Sequence, residues 1–307
     1  MAEILIVGTG AMALLFGGRL AASGVKVTLL GTWKEGILAV REKGIRIMGE
    51  TGEFAYPVKA TSDIREIKKV PFALVLVKSW QTERAAQQLK EVMQPDSVAL
   101  TMQNGMGNLE ILRDLLGEER AALGVTTYGA TLLEPGLVRH GGEGVITLGI
   151  HPRLGTFKVY LQQAGFSLQE TTDLSSLVWS KLIINAAINP LTALLGVRNG
   201  ELLESRAAKK VMGIAAREAA SVASAKGIKL NFKDPGRAAE EVAAATSGNI
   251  SSMLQDIRRN SPTEIDAICG AIVREGKRLN VSTPVNNLLF QLVQSQVDLS
   301  GKNYENS

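Results

Sequence analysis

The chain has 307 residues, 45% of them hydrophobic, and this length favours two domains with a core each. Its 34 basic and 30 acidic residues give a net charge of +4 and are dispersed along the chain, so we expect no nucleic-acid-binding surface. The single cysteine, Cys269, excludes an intrachain disulfide, and with only His140 and His151 as imidazoles it argues against a metal centre built from Cys and His.

The first residues show no signal-peptide pattern, because a strand-like run begins without a basic leader or a long apolar core. Nowhere do 18 consecutive apolar residues occur, so we expect no membrane-spanning segment. A lone cysteine is typical of a reducing compartment. Together these features predict a cytoplasmic protein.

The first thirty residues predict a strand, a tight turn, a helix and a second strand. The apolar run Glu3 to Val7 leads into a glycine turn and a helical pattern, and Lys26 to Leu30 is the second strand. A βαβ unit of this kind implies parallel strands.

The turn carries the pattern Gly-x-Gly-x-x-Ala directly between strand and helix, which is the context of a dinucleotide-binding turn. The first glycine makes the turn, and the second lets the backbone approach a pyrophosphate at the helix N-terminus. A glycine turn without a nucleotide is the alternative, and a flavin or a methyl donor could use a similar turn. The candidate cofactor-binding residues are Gly8, Thr9, Gly10, Ala11, Met12 and Ala13.

The second strand lacks the acidic residue that would bind a free ribose 2′-hydroxyl. It continues through Gly31 to Thr32 and Lys34, whose side chains could donate to a 2′-phosphate. This favours NADP over NAD, with a solvated surface role for Lys34 as the alternative.

Buried strands and helices alternate up to about residue 127, which predicts a doubly wound parallel sheet of the α/β class. After these elements, Leu137 to Ile150 is predicted to form an antiparallel hairpin at the sheet edge. The predicted strands are Phe72 to Val77, Ser97 to Met102 and Ala121 to Thr127, and the predicted helices are Thr82 to Val92 and Leu109 to Leu116.

Polar side chains follow two of these strands. Lys78 and Gln81 come after the first, and Asn104 comes after the next. Ligands bind at the carboxyl ends of parallel strands, so these three are site candidates by position. For Asn104, a plain Asn-Gly turn is the alternative.

The second half of the chain is rich in alanine and predicts helices alone. We place the domain change between Gln169 and Leu174, giving a Rossmann-type NADP-binding domain over 1–171 and an all-helical substrate domain over 172–307. The tail from Asp298 to Ser307 is polar and is expected to fray. The predicted helices beyond the first are Ala207 to Lys226, Ala238 to Ala245, Thr263 to Leu279 and Val285 to Val297.

The first helix of this half carries Lys181, Asn185 and Asn189 at four-residue spacing within an apolar run, which puts them on one stripe. If the helix is buried, these groups need polar partners, and a polar ligand would supply them. The alternative is that the stripe faces water on an amphipathic helix.

Two other polar stretches have plain structural interpretations. Ser261-Pro262-Thr263-Glu264 matches a capping box in which Glu264 is the third helical residue. The stretch around Asn249, Ser251 and Ser252 could be a polar helix start.

Taken in order, these motifs make the chain similar to the ketopantoate reductases, over most of its length. That family reduces 2-dehydropantoate to pantoate with NADPH, in the pathway to pantothenate and coenzyme A. The motifs are the glycine turn, Val77-Lys78-x-Trp80-Gln81, Gln103-Asn104-Gly105-Met106-Gly107, Lys181-x3-Asn185-x3-Asn189-Pro190, Ser251-Ser252-Met253-Leu254-Gln255-Asp256 and Thr263-Glu264-Ile265-Asp266.

The resemblance implies a role for each matching residue, with Lys181 as the general acid. It also implies backbone contact of Ala130 with the cofactor. One departure is that many relatives carry Arg where this chain has Thr32. The implied substrate-binding residues are Asn185, Asn189, Asn199, Asn249 and Ser252, and the implied cofactor-binding residues include Lys78, Gln81, Asn104, Ala130 and Glu264.

Three other functions remain open on the sequence. The chain could be another NAD(P)-dependent 2-keto acid reductase, a 3-hydroxyacid dehydrogenase, or a non-catalytic NADP-binding sensor. The expected partner is a small-molecule keto acid. The apolar segment Val285 to Val297 could pair two chains into a homodimer or serve in the core.

Overall fold

The chain folds into two compact units in its computed structural model, which describes residues 3–49 and 52–302, the last three by backbone alone. The first unit comprises the described residues up to Gln103 together with Asn108–Leu174, and the second comprises Asn104–Gly107 and the described residues from Ser175 onward. The predicted α/β class, with a mainly parallel N-terminal sheet and a helical C-terminal part, is confirmed.

Within the described residues the strands are β1 (Glu3–Val7), β2 (Lys26–Leu30), β3 (Ile45–Gly49), β4 (Gly52–Tyr56), β5 (Lys59–Thr61), β6 (Val70–Val75), β7 (Met93–Thr101), β8 (Ala121–Thr126), β9 (Ala130–Glu134), β10 (Leu137–His140), β11 (Ile146–Gly149) and β12 (Leu168–Thr171). The α-helices are α1 (Ala11–Ala22), α2 (Lys34–Lys43), α3 (Thr82–Val92), α4 (Asn108–Leu116), α5 (Gly155–Gln163), α6 (Leu174–Leu195), α7 (Arg206–Ala225), α8 (Pro235–Ala245), α9 (Ser252–Arg258), α10 (Ala271–Arg278) and α11 (Pro284–Lys302).

The main sheet of the first unit has eight strands in the order β12-β11-β8-β7-β6-β1-β2-β5, and only the β8–β11 pair is antiparallel. Ile6 of β1 pairs with Leu29 of β2 on one side and with Leu74 of β6 on the other. The chain leaves β1 toward β2 and later returns to its other side at β6, so the strand order reverses at β1. In doubly wound folds a ligand binds at this switch point, outside the carboxyl ends of the strands.

Both faces of this sheet are covered, which explains the continuous apolar runs of its strands. Along β1, Ile4 and Ile6 belong to one core cluster, whereas Leu5 and Val7 belong to another. Side chains of a strand alternate between faces, so the two clusters are the cores of the two layers.

The predicted hairpin over Leu137 to Ile150 is wrong. β10 pairs with β9 and β3 in a second sheet of order β4-β3-β10-β9, whereas β11 pairs with β8 and β12 in the main sheet. The glycines that connect β10 to β11 do not form a hairpin turn. Gly141 N instead donates to Gly129 O, in the segment before β9, at 2.8 Å. The connecting segment therefore crosses from one sheet to the other.

The second unit is built from helices, as predicted, and its core includes Trp179 and Ile183 of α6. By length and composition α6 could cross a membrane. However, 67% of its most apolar 18-residue stretch is buried, as in the core helix of a folded domain. The helix predicted over Thr263 to Leu279 begins instead at Ile265, and its first part, Asp266–Gly270, is a π-helix.

The predicted fraying from Asp298 to Ser307 is wrong up to Lys302, where α11 ends. Residues 303–307 lie outside the described residues. The domain boundary at 171/172 stays a prediction.

Candidate active site

The glycine turn lies at the carboxyl edge of the main sheet, at the strand-order reversal. Gly8 N donates to Leu30 O at 2.7 Å, and Leu76 N donates to Val7 O at 2.9 Å, so the ends of β2 and β6 flank the turn. Gly8 has a φ of 136°, and a Cβ there would lie 2.9 Å from Leu76 O. Only glycine satisfies both conditions without strain.

Gly10 has a different environment, since a Cβ on it would meet nothing within 4 Å. It is the N-cap of α1, and no side chain caps the first turn of that helix. The open space and the uncapped N–H groups are what a pyrophosphate requires at this position. Of the other turn residues, Thr9 and Ala13 are buried, and Ala11 and Met12 are half-buried.

The segment after β2 presents an unexpected cation. Thr32 and Lys34 are both exposed, and Lys34 is the first residue of α2. Thr32 Oγ1 accepts a hydrogen bond from Nη2 of Arg84, in the first turn of α3, at 3.3 Å. Sequence reasoning missed Arg84 because only the fold brings it to the end of β2.

A glutamine fixes the segments that follow β6 and β7. Nε2 of Gln103 donates to Val77 O and to Thr82 Oγ1, each at 2.8 Å. Thr101 Oγ1 donates to Gln103 Oε1 and Thr82 Oγ1 donates to Asn108 Oδ1, both at 2.8 Å. Gln103 belongs to the Gln103-Asn104-Gly105-Met106-Gly107 motif, but its positioning role was not predicted from the sequence.

Of the predicted cofactor-binding residues, Lys78 and Gln81 follow β6 and Ala130 begins β9. Lys78 and Gln81 are half-buried in the first unit, and Gln81 ends the 3-10 turn Ser79–Gln81. Ala130 begins β9 of the second sheet and pairs with His140.

Asn104 belongs to the second unit, because its loop is held there. Met106 N donates to Ala267 O at 2.9 Å, and Met106 packs against the helical core. The structure therefore assigns Asn104 to a different unit from Lys78 and Gln81. The sequence motif alone gave no sign of this division.

The polar stripe of α6 is partly buried. Asn189 is buried, and Lys181 and Asn185 are half-buried. The neighbouring Leu182 and Ile183 are in the core. The water-facing alternative is therefore wrong for Asn189, whereas Lys181 and Asn185 are partly exposed.

Burial lowers the pKa of Lys181 from its ordinary value to about 8, and the nearby Glu264 carboxylate opposes this shift by favouring the charged amine. Glu264 is itself buried. An amine that loses its proton near neutral pH can act as a general acid at physiological pH.

The capping-box interpretation of Glu264 is wrong. The helix begins only at Ile265, so Glu264 precedes the helix and is not its third residue. Ile265 N instead donates to Thr263 Oγ1 at 3.4 Å. Glu264 is thereby left to interact electrostatically with Lys181.

Ser251 and Ser252 differ in burial and in their hydrogen bonds. Ser251 is buried, and its Oγ accepts from Leu254 N at 3.1 Å and from Thr192 Oγ1 at 2.6 Å. Ser252, the first residue of α9, is half-buried. The polar helix start is thus Ser251, and Ser252 remains a candidate for substrate binding.

The two remaining predicted substrate-binding residues, Asn199 and Asn249, lie in segments that are joined by a backbone hydrogen bond. Asn199 N donates to Asn249 O at 3.0 Å, and Asn199 Nδ2 donates to Thr246 Oγ1 at 2.9 Å. Asn199 Oδ1 is buried without a hydrogen-bond partner among the described residues. Asn249 is exposed. These contacts give Asn199 a structural role in addition to any substrate contact.

Comparison with known proteins assigns the family. The profile of the family described as ketopantoate reductase PanE/ApbA matches residues 4–153, and that of its C-terminal region matches residues 173–297. The chain belongs to this family. The predicted resemblance to ketopantoate reductases is therefore confirmed, and the 3-hydroxyacid dehydrogenase and sensor alternatives are not favoured.

Relatives of this ketopantoate reductase family member match almost end to end. A 2-dehydropantoate 2-reductase from Pyrococcus horikoshii is 35% identical over 97% of this chain and 99% of its own length. A PanE/ApbA family ketopantoate reductase from Ralstonia eutropha JMP134, known as a crystal structure, is 30% identical over 97% and 99% of the two chains with a TM-score of 0.91. D-mandelate dehydrogenase in a ternary structure with NADH and anilino(oxo)acetate is 28% identical over the same shares with a TM-score of 0.90.

Proposed function

We propose that the chain reduces 2-dehydropantoate to pantoate with NADPH, with Lys181 as the general acid. The observation that carries the proposal is the Lys181 ammonium, whose pKa is lowered to about 8, on the helix that also presents Asn185 and Asn189. The assignment of 2-dehydropantoate as substrate rests on membership in the family. Pantoate would then be used in the synthesis of pantothenate and coenzyme A.

The glycine turn suits a dinucleotide. The space beside Gly10 and the uncapped N–H groups of α1 fit a pyrophosphate, and the end of β2 carries Thr32 and Lys34 instead of a carboxylate. We assign NADP binding to these residues together with Lys78, Gln81 and Asn104. Ala130 would contribute its backbone, and Glu264 would set the charge state of Lys181.

Bound NADPH would supply the hydride for the ketone carbon and become NADP+, and negative charge would then grow on the carbonyl oxygen. The Lys181 ammonium stabilises that charge and transfers one proton to the oxygen, giving the alcohol and a neutral amine. Water returns the proton to Lys181 before the next turnover. A positioned proton donor contributes about 10²- to 10⁴-fold in rate.

The substrate carries a carboxylate and a primary hydroxyl group. Amide N–H groups of Asn185 and Asn189 and the hydroxyl of Ser252 can donate to such oxygens. We assign these side chains to substrate orientation. Asn249 and Asn199 complete the predicted set, although Asn199 also bonds to Thr246.

The test is NADPH oxidation at 340 nm with ketopantoate, next to pyruvate, 2-ketoisovalerate and benzoylformate, and with NADH in place of NADPH. We expect turnover to be fastest with ketopantoate and NADPH. Turnover with another keto acid alone would overturn the substrate assignment, and cofactor binding without any turnover would overturn the reaction.

Lys181→Ala should lower kcat by about 10²- to 10⁴-fold while leaving the dissociation constant of NADPH almost unchanged, because its ammonium acts on the carbonyl oxygen. NADPH fluorescence titration measures the binding. Equal losses in kcat and in binding would contradict the assignment of Lys181 as the acid. Exposed Lys210 of α7 is the control, since Lys210→Ala removes the same charge from the same unit.

We also propose a cytoplasmic location and a homodimer. The lone thiol supports the first. For the second, α11 buries Leu289 and Val293 in the core while exposing Leu288, Leu292 and Leu299. Light scattering of the purified chain would give its mass, and a monomer at micromolar concentration would contradict the dimer.

A further inference from the structure

Arg84 places a guanidinium at the end of β2, where the sequence alone shows none. Its Nη2 lies 3.3 Å from Thr32 Oγ1, and both side chains are exposed. The residue just past β2 is where a doubly wound fold distinguishes a ribose 2′-hydroxyl from a 2′-phosphate. A positive charge there bears directly on the choice between NADPH and NADH.

The strand order explains how α3 reaches this position. β2 and β6 flank β1, and α3 follows β6 after the turn Ser79–Gln81. The first turn of α3, which contains Arg84, is thereby brought toward the end of β2. The glycine turn lies at the same edge, because Gly8 N donates to Leu30 O at 2.7 Å.

Arg84 is bonded to a neutral hydroxyl, in contrast to most arginines of the first unit. Arg46, Arg65 and Arg153 each form an ion pair with a carboxylate, whereas the described part of the chain offers none to Arg84. The adjacent Glu83 is exposed, and successive helical residues point in different directions. Most of the donors of Arg84 are thus available to a ligand.

We propose that Arg84 recognises the 2′-phosphate of NADPH at the end of β2. The guanidinium donates two N–H groups to phosphate oxygens, a geometry that arginine provides and lysine does not. Thr32 holds the guanidinium in place and can donate its own hydroxyl to the phosphate. This inference rests on the proposed preference for NADP.

The test compares Arg84→Gln with Lys90→Gln, which removes an exposed charge farther along the same helix. We expect Arg84→Gln to raise KM for NADPH by roughly 10- to 100-fold, the range for loss of charge-assisted hydrogen bonds. KM for NADH and kcat should stay within about twofold. Lys90→Gln should behave as the unchanged protein, and thermal melting checks that both variants are folded.

Binding of 2′,5′-ADP and 5′-AMP, measured by calorimetry, separates this proposal from the proposed reaction. Loss of affinity for 2′,5′-ADP alone in Arg84→Gln would support the role of Arg84 even if ketopantoate were not the substrate. Equal losses for both nucleotides, or no loss for either, would overturn it. Unchanged protein that binds both equally would also overturn it, while leaving ketopantoate reduction with NADH open.

Discussion

Lys181 combines three features that bear on its proposed role as general acid: a position on a polar stripe, partial burial and an acidic neighbour. The stripe is visible in the sequence, because Lys181, Asn185 and Asn189 recur every four residues in an apolar run. The pKa of Lys181 depends on the burial of its side chain within the second unit and on Glu264, which lies far along the chain. Burial lowers the pKa of Lys181, and Glu264 raises it.

This balance predicts the pH dependence of the reaction. As the proposed general acid, Lys181 works only when protonated, so kcat/KM should fall as the pH rises above about 8, where its amine loses its proton. Glu264→Gln removes the interaction that raises the pKa, so the decline should start at a lower pH. Initial rates from pH 6 to 10 measure both profiles.

Asp266→Asn is the control for that experiment. Asp266 lies two residues after Glu264, is exposed and forms an ion pair with Arg274 at 2.7 Å. The substitution therefore removes the same charge as Glu264→Gln from a nearby position in the chain. Its profile should match that of the unchanged protein. A decline at the same pH in Glu264→Gln would show that Glu264 does not act on Lys181.

Gly8 and Gly10 show how far a residue pattern predicts chemistry. The pattern assigns the turn to the first glycine and ligand approach to the second, and the structure gives each the matching environment. Sequence could not predict Arg84 or Gln103, because their partners lie on other strands and helices. Glu264 was misread because a local capping motif competed with a long-range contact.

These environments predict different effects for two alanine substitutions. Gly8→Ala should lower the free energy of unfolding by several kcal/mol, through positive φ and a clash with Leu76 O. Gly10→Ala should change it by less than about 1 kcal/mol but raise KM for NADPH, because the methyl group enters the space that we propose for the pyrophosphate. Chemical denaturation and initial rates separate the two. Equal stability of both variants would contradict the assigned roles.

At the scale of single elements, the sequence predicted β1, β2 and α3 with their observed bounds. These segments have a clear period or a continuous apolar run between turn residues. The second sheet was missed, since β3, β4 and β9 are short and partly exposed. The hairpin error had a similar cause: two short strands joined by glycines do not show which neighbours they pair with.

The N-terminus of α9 carries a structural serine, Ser251, next to Ser252, which we propose to bind substrate. Ser251→Ala removes a buried cap and the partner of Thr192, which should cost about 1–3 kcal/mol of unfolding free energy. Ser252→Ala should leave the melting temperature nearly unchanged and raise KM for the keto acid. Calorimetry and steady-state kinetics measure the two effects. A large loss of stability in Ser252→Ala would show that it, too, is structural.

At the scale of the whole molecule, the α/β class and the helical second half followed from the alternation of patterns along the chain. The assignment of Asn104–Gly107 to the second unit did not, because it depends on a backbone hydrogen bond from Met106 to Ala267. Sequence periodicity reports which face of a segment is buried. It does not report which of two cores a four-residue loop joins.

Cys269 provides a probe of how firmly the second unit is folded. It is fully buried, and burial raises the pKa of its thiol. Its Sγ lies 4.0 Å from the carbonyl oxygen of Ala186, the group that Pro190 leaves without a helical N–H donor. A protonated, enclosed thiol is a poor nucleophile, so the native protein should react with a thiol reagent only when the second unit opens.

Absorbance after addition of a chromogenic disulfide should therefore show almost no labelling of the native protein and complete labelling in guanidinium chloride. Ser224→Cys in a Cys269→Ala background is the control, because Ser224 is exposed on α7 of the same unit and its thiol should react within seconds to minutes. Labelling of native Cys269 as fast as that control would contradict its burial. Slow labelling that speeds up in Ser251→Ala would show that the cap of α9 helps to keep the second unit closed.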